Sequence, residues 1–429
     1  MSDRKVMSHG VIAADLVLRN ALVPSVLCRE IGGGAIGEGL VLTDIAVRDG
    51  HIVAAAPNQT LVAGEARDLG GRMVLPGFVD MHVHLDKAYT AARTGVSRIG
   101  LAEAVSLSMA DAPNRTLEDL LVRMDRAIRA AYRLGTVAMR THLDSMAPPD
   151  ESPAWAALRR LQEKWQGRMR LQPVALMRIE RAVDRDFADR CRQIAERGGL
   201  AGGYISGEGC DPAMVDAFLT LAADAGLDVD FHVDETLDAG ARGIETVLDS
   251  AEKVRFPWRV TLSHCCSLAA MEQGRALAIA ERIAAAQAHV VSLPLTNAYL
   301  MDRMPGESPR RRGMTIVQEL SALGVPVCFA SDNVRDAFYP YGAFDMLEIF
   351  RQAVMTSQLE ADVEHWIASV AARPSETMRL ESARTIAPGV PADLVIFDAR
   401  DWTDLLSRAH EDRQVLRAGV ALDAEGEAA

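Results

Sequence analysis

Between residues 77 and 333 eight short apolar runs alternate with stretches of helical period, and this alternation narrows the fold more than any other feature of the chain. The runs are "GFVDMHVHLD", "TVAMRTHLD", "MRLQPVALM", "LAGGYIS", "DVDFHVDE", "RVTLSHCC", "AHVVSLPLTN" and "VPVCFASDN". Strands covered by helices on both faces read as near-continuous apolar segments, so the pattern predicts a parallel α/β sheet. Eight such units predict a (β/α)8 TIM-type barrel, whose reactive groups gather at the C-terminal ends of the strands. The segment after the first run shows the helical period well. Leu117, Leu121, Met124, Ile128 and Ala131 share one stripe, Thr116 is placed to cap it, and Gly135 to end it.

The chain ends have a different character. "DLVLRN", "IAVRDGHIVAAA" and "GRMVLPGFVD" are β-type runs within residues 15–80, and "GVPADLVIFDA" and "RQVLRAGVAL" repeat the type near the C-terminus. Neither group holds enough strands to bury a core by itself, so the two are expected to join into one small β-sandwich domain. The expected boundaries are 1–74 and 385–429 for that domain, and 75–384 for the barrel. A chain of 429 residues accommodates a barrel of about 250 residues or more plus such an accessory domain.

Four of the runs end in residues that bind metals or move protons. His82 and His84 close the first, His232 and Glu235 the fifth, His264 the sixth, and Asp332 the eighth. Side chains at i and i+2 of a strand point the same way, so His82 and His84 can converge on one point. Three imidazoles and a carboxylate suit Zn²⁺ or Fe²⁺ and leave a position for water, so His82, His84, His232 and Asp332 are assigned to one divalent ion. Asp332 taken alone also reads as a helix N-cap in "SDNVRD". Glu235, three residues past His232, is the candidate proton shuttle, and His264 the candidate stabiliser of charge at the attacked carbon. His142 ends the second run and reads as a group supporting the metal ligands or orienting substrate, or equally as a structural histidine. Cys265 and Cys266 directly follow His264, but adjacent cysteines point apart along a strand and do not have the spacing of a thiolate site. The sequence has no lysine between Lys164 and Lys253, which removes the carbamylated fourth-strand lysine that would bridge a second ion.

Composition narrows the partner. A net charge of −13 disfavours nucleic acid and anionic membrane surfaces and leaves a small, soluble molecule as the expected substrate. The first twenty residues lack the apolar core of a secretory signal, and no run approaches the length of a membrane span, so a cytoplasmic location is expected. The six cysteines, at 28, 191, 210, 265, 266 and 328, are sparse and read as reduced thiols. The sequence is compatible with a homo-oligomer.

With these residues in view, the chain resembles the amidohydrolase superfamily, and within it the cytosine deaminase branch. "PGFVDMHVHLDK", "GTVAMRTHLD", "DFHVDET" and "RVTLSHCCSLAAM" are similar to that family's strand-end motifs. The block "PRRRGMTIVQELSALGVPVCFASDNVRDAFYPYGAFDML", residues 309–347, carries the most specific part of the likeness. The resemblance implies one Fe²⁺ or Zn²⁺ and hydrolytic deamination of an aminated ring, with cytosine the first expected substrate. Two departures stand out. Arg178 occupies the position of a glutamine that reads the pyrimidine edge, and Asn333 that of an aspartate after the last metal ligand. "HLDK" and "SDNVRD" are closer to the isopropylammelide amidohydrolases, so an ammelide-type triazine is the alternative substrate. Arg178 and Asn333 are then expected substrate-binding residues, with Arg178 read equally as a surface arginine. Cyclic-amide hydrolysis and a non-catalytic metal-binding role are the less favoured readings.

Overall fold

The computed structural model describes residues 12–28, 34–56, 61–205, 211–382 and 384–423; Cys210 and His9 fall outside them. The described residues divide into two compact units. One runs from Val79 to Ala361, and the other joins the residues up to Phe78 with those from Asp362 on.

The larger unit holds the barrel. Its strands are β1 (Phe78–Val83), β2 (Thr136–Asp144), β3 (Arg170–Arg178), β4 (Leu200–Ile205), β5 (Val229–Val233), β6 (Val260–His264), β7 (His289–Ser292) and β8 (Val327–Phe329), one from each of the eight runs. They lie in chain order in a single sheet, and successive neighbours from β2 to β8 pair in parallel. Just past β8, the Asp332 N–H donates to the His82 carbonyl at 2.8 Å, bringing the last strand end against the first and nearly closing the barrel. Helices occupy the crossovers: α1 (Leu101–Ala110) and α2 (Leu117–Arg133), then α3 (Pro153–Lys164), α4 (Phe187–Glu196), α5 (Pro212–Asp224), α6 (Gly243–Lys253) and α7 (Gln273–Ala285). Three more follow: α8 (Pro294–Leu300), α9 (Val317–Ala322) and α10 (Met346–Ser357).

Local chemistry accounts for these elements. Thr116 caps α2 by accepting from the Asp119 N–H, and Gly135 just beyond its end has φ 104°. The buried stripe of α2 is Leu120, Met124, Ala127, Ile128 and Ala131, so Leu117 and Leu121 lie at its edge, half-buried. In β4 a side chain at Gly203 would meet the Phe231 ring at 2.6 Å, so glycine there lets β5's aromatic fill the barrel layer.

The smaller unit is a nine-stranded mixed sheet. The strand Met73–Pro76 pairs antiparallel with Leu394–Phe397, which ties the N-terminal and C-terminal segments into one sheet. Leu16 and Leu18 pack into one apolar cluster and Val17 into another, as strand alternation requires. The sequence puts the second boundary at 384/385, whereas the residues from Asp362 on group with this unit. A side chain at Gly39, φ 66°, would collide with Glu364, so the segment after 362 is seated on the terminal sheet. Among the described residues no helix is long and apolar enough to cross a membrane.

Candidate active site

The residues singled out by the runs meet at one end of the barrel. His82 Nε2 lies 3.1 Å from His232 Nε2, which lies 3.2 Å from His84 Nε2. Asp332 Oδ1 is 3.5 Å from His82 Nε2 and 3.3 Å from His84 Nε2. A tetrahedral ion with bonds of about 2.0–2.1 Å needs donor atoms about 3.3 Å apart, so these four groups have the spacing of a metal's coordination shell. All four are buried, and neither Asp332 oxygen has a hydrogen-bond partner, a state a buried carboxylate tolerates when a cation completes it. When bound there, a divalent ion supplies Lewis-acid chemistry, lowering the pKa of a water to about 7. Asp332 has φ 62° and no helix starts at it, so the N-cap reading does not apply.

Groups behind the cluster orient it. The His82 Nδ1–H donates to Ser263 Oγ at 3.0 Å, Ser263 donates to Asp230 at 3.1 Å, and Arg140 donates to the other Asp230 oxygen at 2.8 Å. His84 Nδ1 lies 3.2 Å from the His142 carbonyl and 3.1 Å from Lys87 Nζ. The His82 chain leaves that ring's Nε2 lone pair facing the centre, the tautomer a ligand needs. Burial, reinforced by the neighbouring imidazoles, holds His82 and His232 well below the usual histidine range, so both are neutral.

Glu235 and His264 stand beside this cluster, with His264 Nδ1 3.4 Å from Glu235 Oε1. Burial, and after it the charge of Asp332, pushes Glu235 well above the usual carboxylate range, which suits a group that must carry a proton. Burial brings His264 down to about 4, leaving a neutral imidazole. Burial likewise raises Cys265 and Cys266 well above the ordinary thiol range, so neither offers a thiolate.

A cavity of about 220 Å³ opens over the cluster and is lined by His84, His232, Glu235, His264 and Asp332. Its polar lining also includes Lys87, Asp144, Arg178 and Asn333. Lys87 Nζ is held by Asp144 Oδ1 at 2.7 Å, and Arg115 donates to the other Asp144 oxygen at 2.8 Å. The apolar lining comes from Leu101, Val105 and Met109 of α1, with Met146 and Phe338.

Arg178 is a rim residue. Its side chain is 60 % exposed and pairs with Glu180 at 3.1 Å. Asn333 lines the cavity and donates to Asp336 at 2.6 Å. His142 is stacked on His82, ring centroids 3.9 Å apart, and is not among the cavity-lining residues. That position packs it against the His82 ring, as a group supporting that side chain would be. Sequence reasoning passed over Lys87, Asn297 and the Ser263–Asp230–Arg140 chain. Lys87 had a signal, a lysine five residues after His82 in the ligand motif; Asn297 had none.

Fold and cluster together define a hydrolase of the α/β-barrel type. The amidohydrolase family model matches residues 90–422. Pterin deaminase of Rhizobium rhizogenes is 40 % identical over 416 residues, covering 96 % of this chain and 94 % of that one. N-isopropylammelide isopropyl amidohydrolase of Pseudomonas sp. is 23 % identical over 90 % of this chain and 91 % of its own length. The crystal structure of 5-methylcytosine deaminase from Klebsiella pneumoniae, liganded with 5-fluorocytosine, superposes with TM-score 0.80 at 26 % identity, covering 95 % of this chain and 97 % of that one. The chain belongs to the amidohydrolase family, and within it to the deaminase branch.

Proposed function

We propose that this enzyme hydrolytically deaminates a 2-amino-4-oxo fused heterocycle of the pterin class, using one zinc or ferrous ion held by His82, His84, His232 and Asp332. The observation that carries the reading is the 40 % identity to a pterin deaminase over nearly the whole chain. The cavity is consistent with it. Its polar lining of Lys87, Asp144 and Asn333 would serve the ring edge that bears amine and carbonyl, and the side chains of Val105, Met109 and Met146 would offer apolar contact to a second ring. Lys87, kept charged because Asp144 and Asp86 outweigh its burial, is placed to pair with a ring carbonyl. In the reaction a water oxygen bonds to the amine-bearing carbon and the C–N bond breaks. Glu235 takes one proton from the water and passes it to a ring nitrogen, then takes the second from the new hydroxyl and passes it to the departing ammonia, as the C–OH becomes a carbonyl. His264 donates a hydrogen bond to the oxygen forming on that carbon.

The reading includes a cytoplasmic enzyme acting on a small molecule, as a monomer or a homo-oligomer. A second reading, a single-ring aminopyrimidine or aminotriazine, is favoured by the likeness to 5-methylcytosine deaminase. Ammonia release by the metal-loaded protein from pterin, cytosine, an ammelide and a cyclic amide tests both. The expected result is a kcat/KM for pterin at least about tenfold above the others, a difference of about 1.4 kcal/mol in transition-state binding. Cytosine or the ammelide in first place overturns the pterin reading, and turnover of the cyclic amide alone overturns deamination.

A further inference from the structure

Asn297 lies on α8, outside the metal ligands and outside the cavity lining, yet it touches both residues that handle protons at the cavity floor. Its amide nitrogen is 3.0 Å from His264 Nδ1 and 3.5 Å from Glu235 Oε1. Those two acceptors are 3.4 Å from each other, so one NH2 group faces both. The amide has little freedom. Asn297 is buried, its N–H is bound to the Leu293 carbonyl at 3.0 Å, and its own carbonyl accepts from the Met301 N–H at 2.9 Å. The His264 backbone is pinned as well, its carbonyl accepting from the Thr315 hydroxyl at 2.7 Å.

A neutral imidazole carries one proton, and the partner at one ring nitrogen decides which nitrogen holds it. An amide N–H donated to Nδ1 requires the lone pair there and leaves the proton on Nε2. His264 Nε2 is buried and has no hydrogen-bond partner in the protein, while His264 lines the cavity. We propose that Asn297 is a positioning residue that fixes His264 as the Nε2–H tautomer, so that a hydrogen-bond donor faces the substrate. Its second N–H steadies Glu235 Oε1. The chemistry at the attacked carbon explains why the tautomer matters. Glu235 removes a proton from the water, so the attacking oxygen carries negative charge while the C=N electron pair passes to the ring nitrogen, and a preorganised donor stabilises that oxygen, whereas an Nε2 lone pair would repel it.

The inference rests on the catalytic roles given to His264 and Glu235, so its test includes a readout independent of turnover. Nitrogen-15 NMR of the metal-loaded, histidine-labelled protein, with His264 assigned by difference from His264→Gln, reports the tautomer directly. The expected signature is a protonated Nε2 and an unprotonated Nδ1. Asn297→Asp has the same shape but presents an acceptor, so the proton moves to Nδ1. With metal content unchanged, kcat should fall about 10²- to 10³-fold, more than KM changes, as for loss of an oxyanion donor. Asn297→Ser, which keeps a donor, should restore part of kcat. A wild-type protein with the proton on Nδ1 overturns the proposal whether or not any variant folds. So does unchanged kcat in an Asn297→Asp protein whose tautomer has switched. Failure of the pterin reading would appear separately, as a changed substrate order with the wild-type tautomer as expected.

Discussion

Glu235 and Asp336 are both buried acids pushed above the usual carboxylate range by loss of water, and they serve different ends. Glu235 faces the cavity, and Glu235→Gln keeps its shape while removing the proton it carries. Turnover should drop about 10²- to 10⁴-fold with the metal retained, and near-normal turnover in a metal-loaded variant would remove Glu235 from the chemistry. Asp336 instead organises the loop after β8, accepting from the Phe338 and Tyr339 N–H groups at 2.9 and 3.1 Å and from Asn333. Those bonds pull its pKa down but do not offset burial, which leaves it at about 6 against 3.8 for an ordinary aspartate. Below pH about 4 the group is protonated whether the chain is folded or not and has no effect on stability. As pH rises from about 4 to 6 the unfolded chain ionises while the folded one holds its proton, so stability falls by up to about 3 kcal/mol and then levels. Asp336→Asn removes that slope. Urea unfolding of both proteins from pH 4 to 7 should show the variant gaining on wild type as pH rises, and a constant gap would mean that Asp336 titrates normally.

At the scale of elements, α1 is the part most able to set ring size. Leu101, Val105 and Met109 follow one another at four-residue steps, so they share one face of the helix and contribute to the apolar lining together. Val105→Trp puts a larger side chain into the cavity lining. It should lower kcat/KM for pterin about tenfold or more while sparing cytosine, and an equal loss on both substrates would show that α1 does not read the second ring. Elements of this kind are legible in sequence where their signal is local. "TVAMRTHLD" corresponds residue for residue to β2, and the alternation that brings His82 and His84 together is a property of one strand. The stripe of α2 is readable too, though centred one position away, because which residues of an amphipathic face go deepest depends on what packs against it. Contacts between distant residues leave no such trace. Asn297 meets Glu235 across 62 residues and Arg140 meets Asp230 across 90, and nothing near Asn297 in the chain distinguishes it from any buried asparagine. Lys87 is intermediate, present in the motif but given its meaning by Asp144, 57 positions further on.

For the whole molecule the question is how many ions the barrel holds, and the geometry favours one. His82, His142 and Asp230 are also close enough together to hold an ion. Asp230, however, already accepts from Arg140 and Ser263, and an ion there would face the Arg140 guanidinium at close range. The fourth strand, Leu200–Ile205, contains no lysine that could be carbamylated to bridge two ions. Elemental analysis of the purified, reconstituted protein should therefore give about one ion per chain, and two tightly held ions would overturn the assignment. Because the four proposed ligands come from the end of β1, from β5 and from the segment after β8, an ion held by them would join parts of the barrel that are far apart in the chain. A ligand present at about 100 times its Kd and bound only by the folded state stabilises that state by about 2.7 kcal/mol. Chelation should then lower the melting temperature and abolish turnover together, with both restored by Zn²⁺ or Fe²⁺. His232→Ala should melt at the same temperature with and without chelator. If it still shows the full metal-dependent shift, His232 is not a ligand, and the ion is held by the other histidines of the cluster.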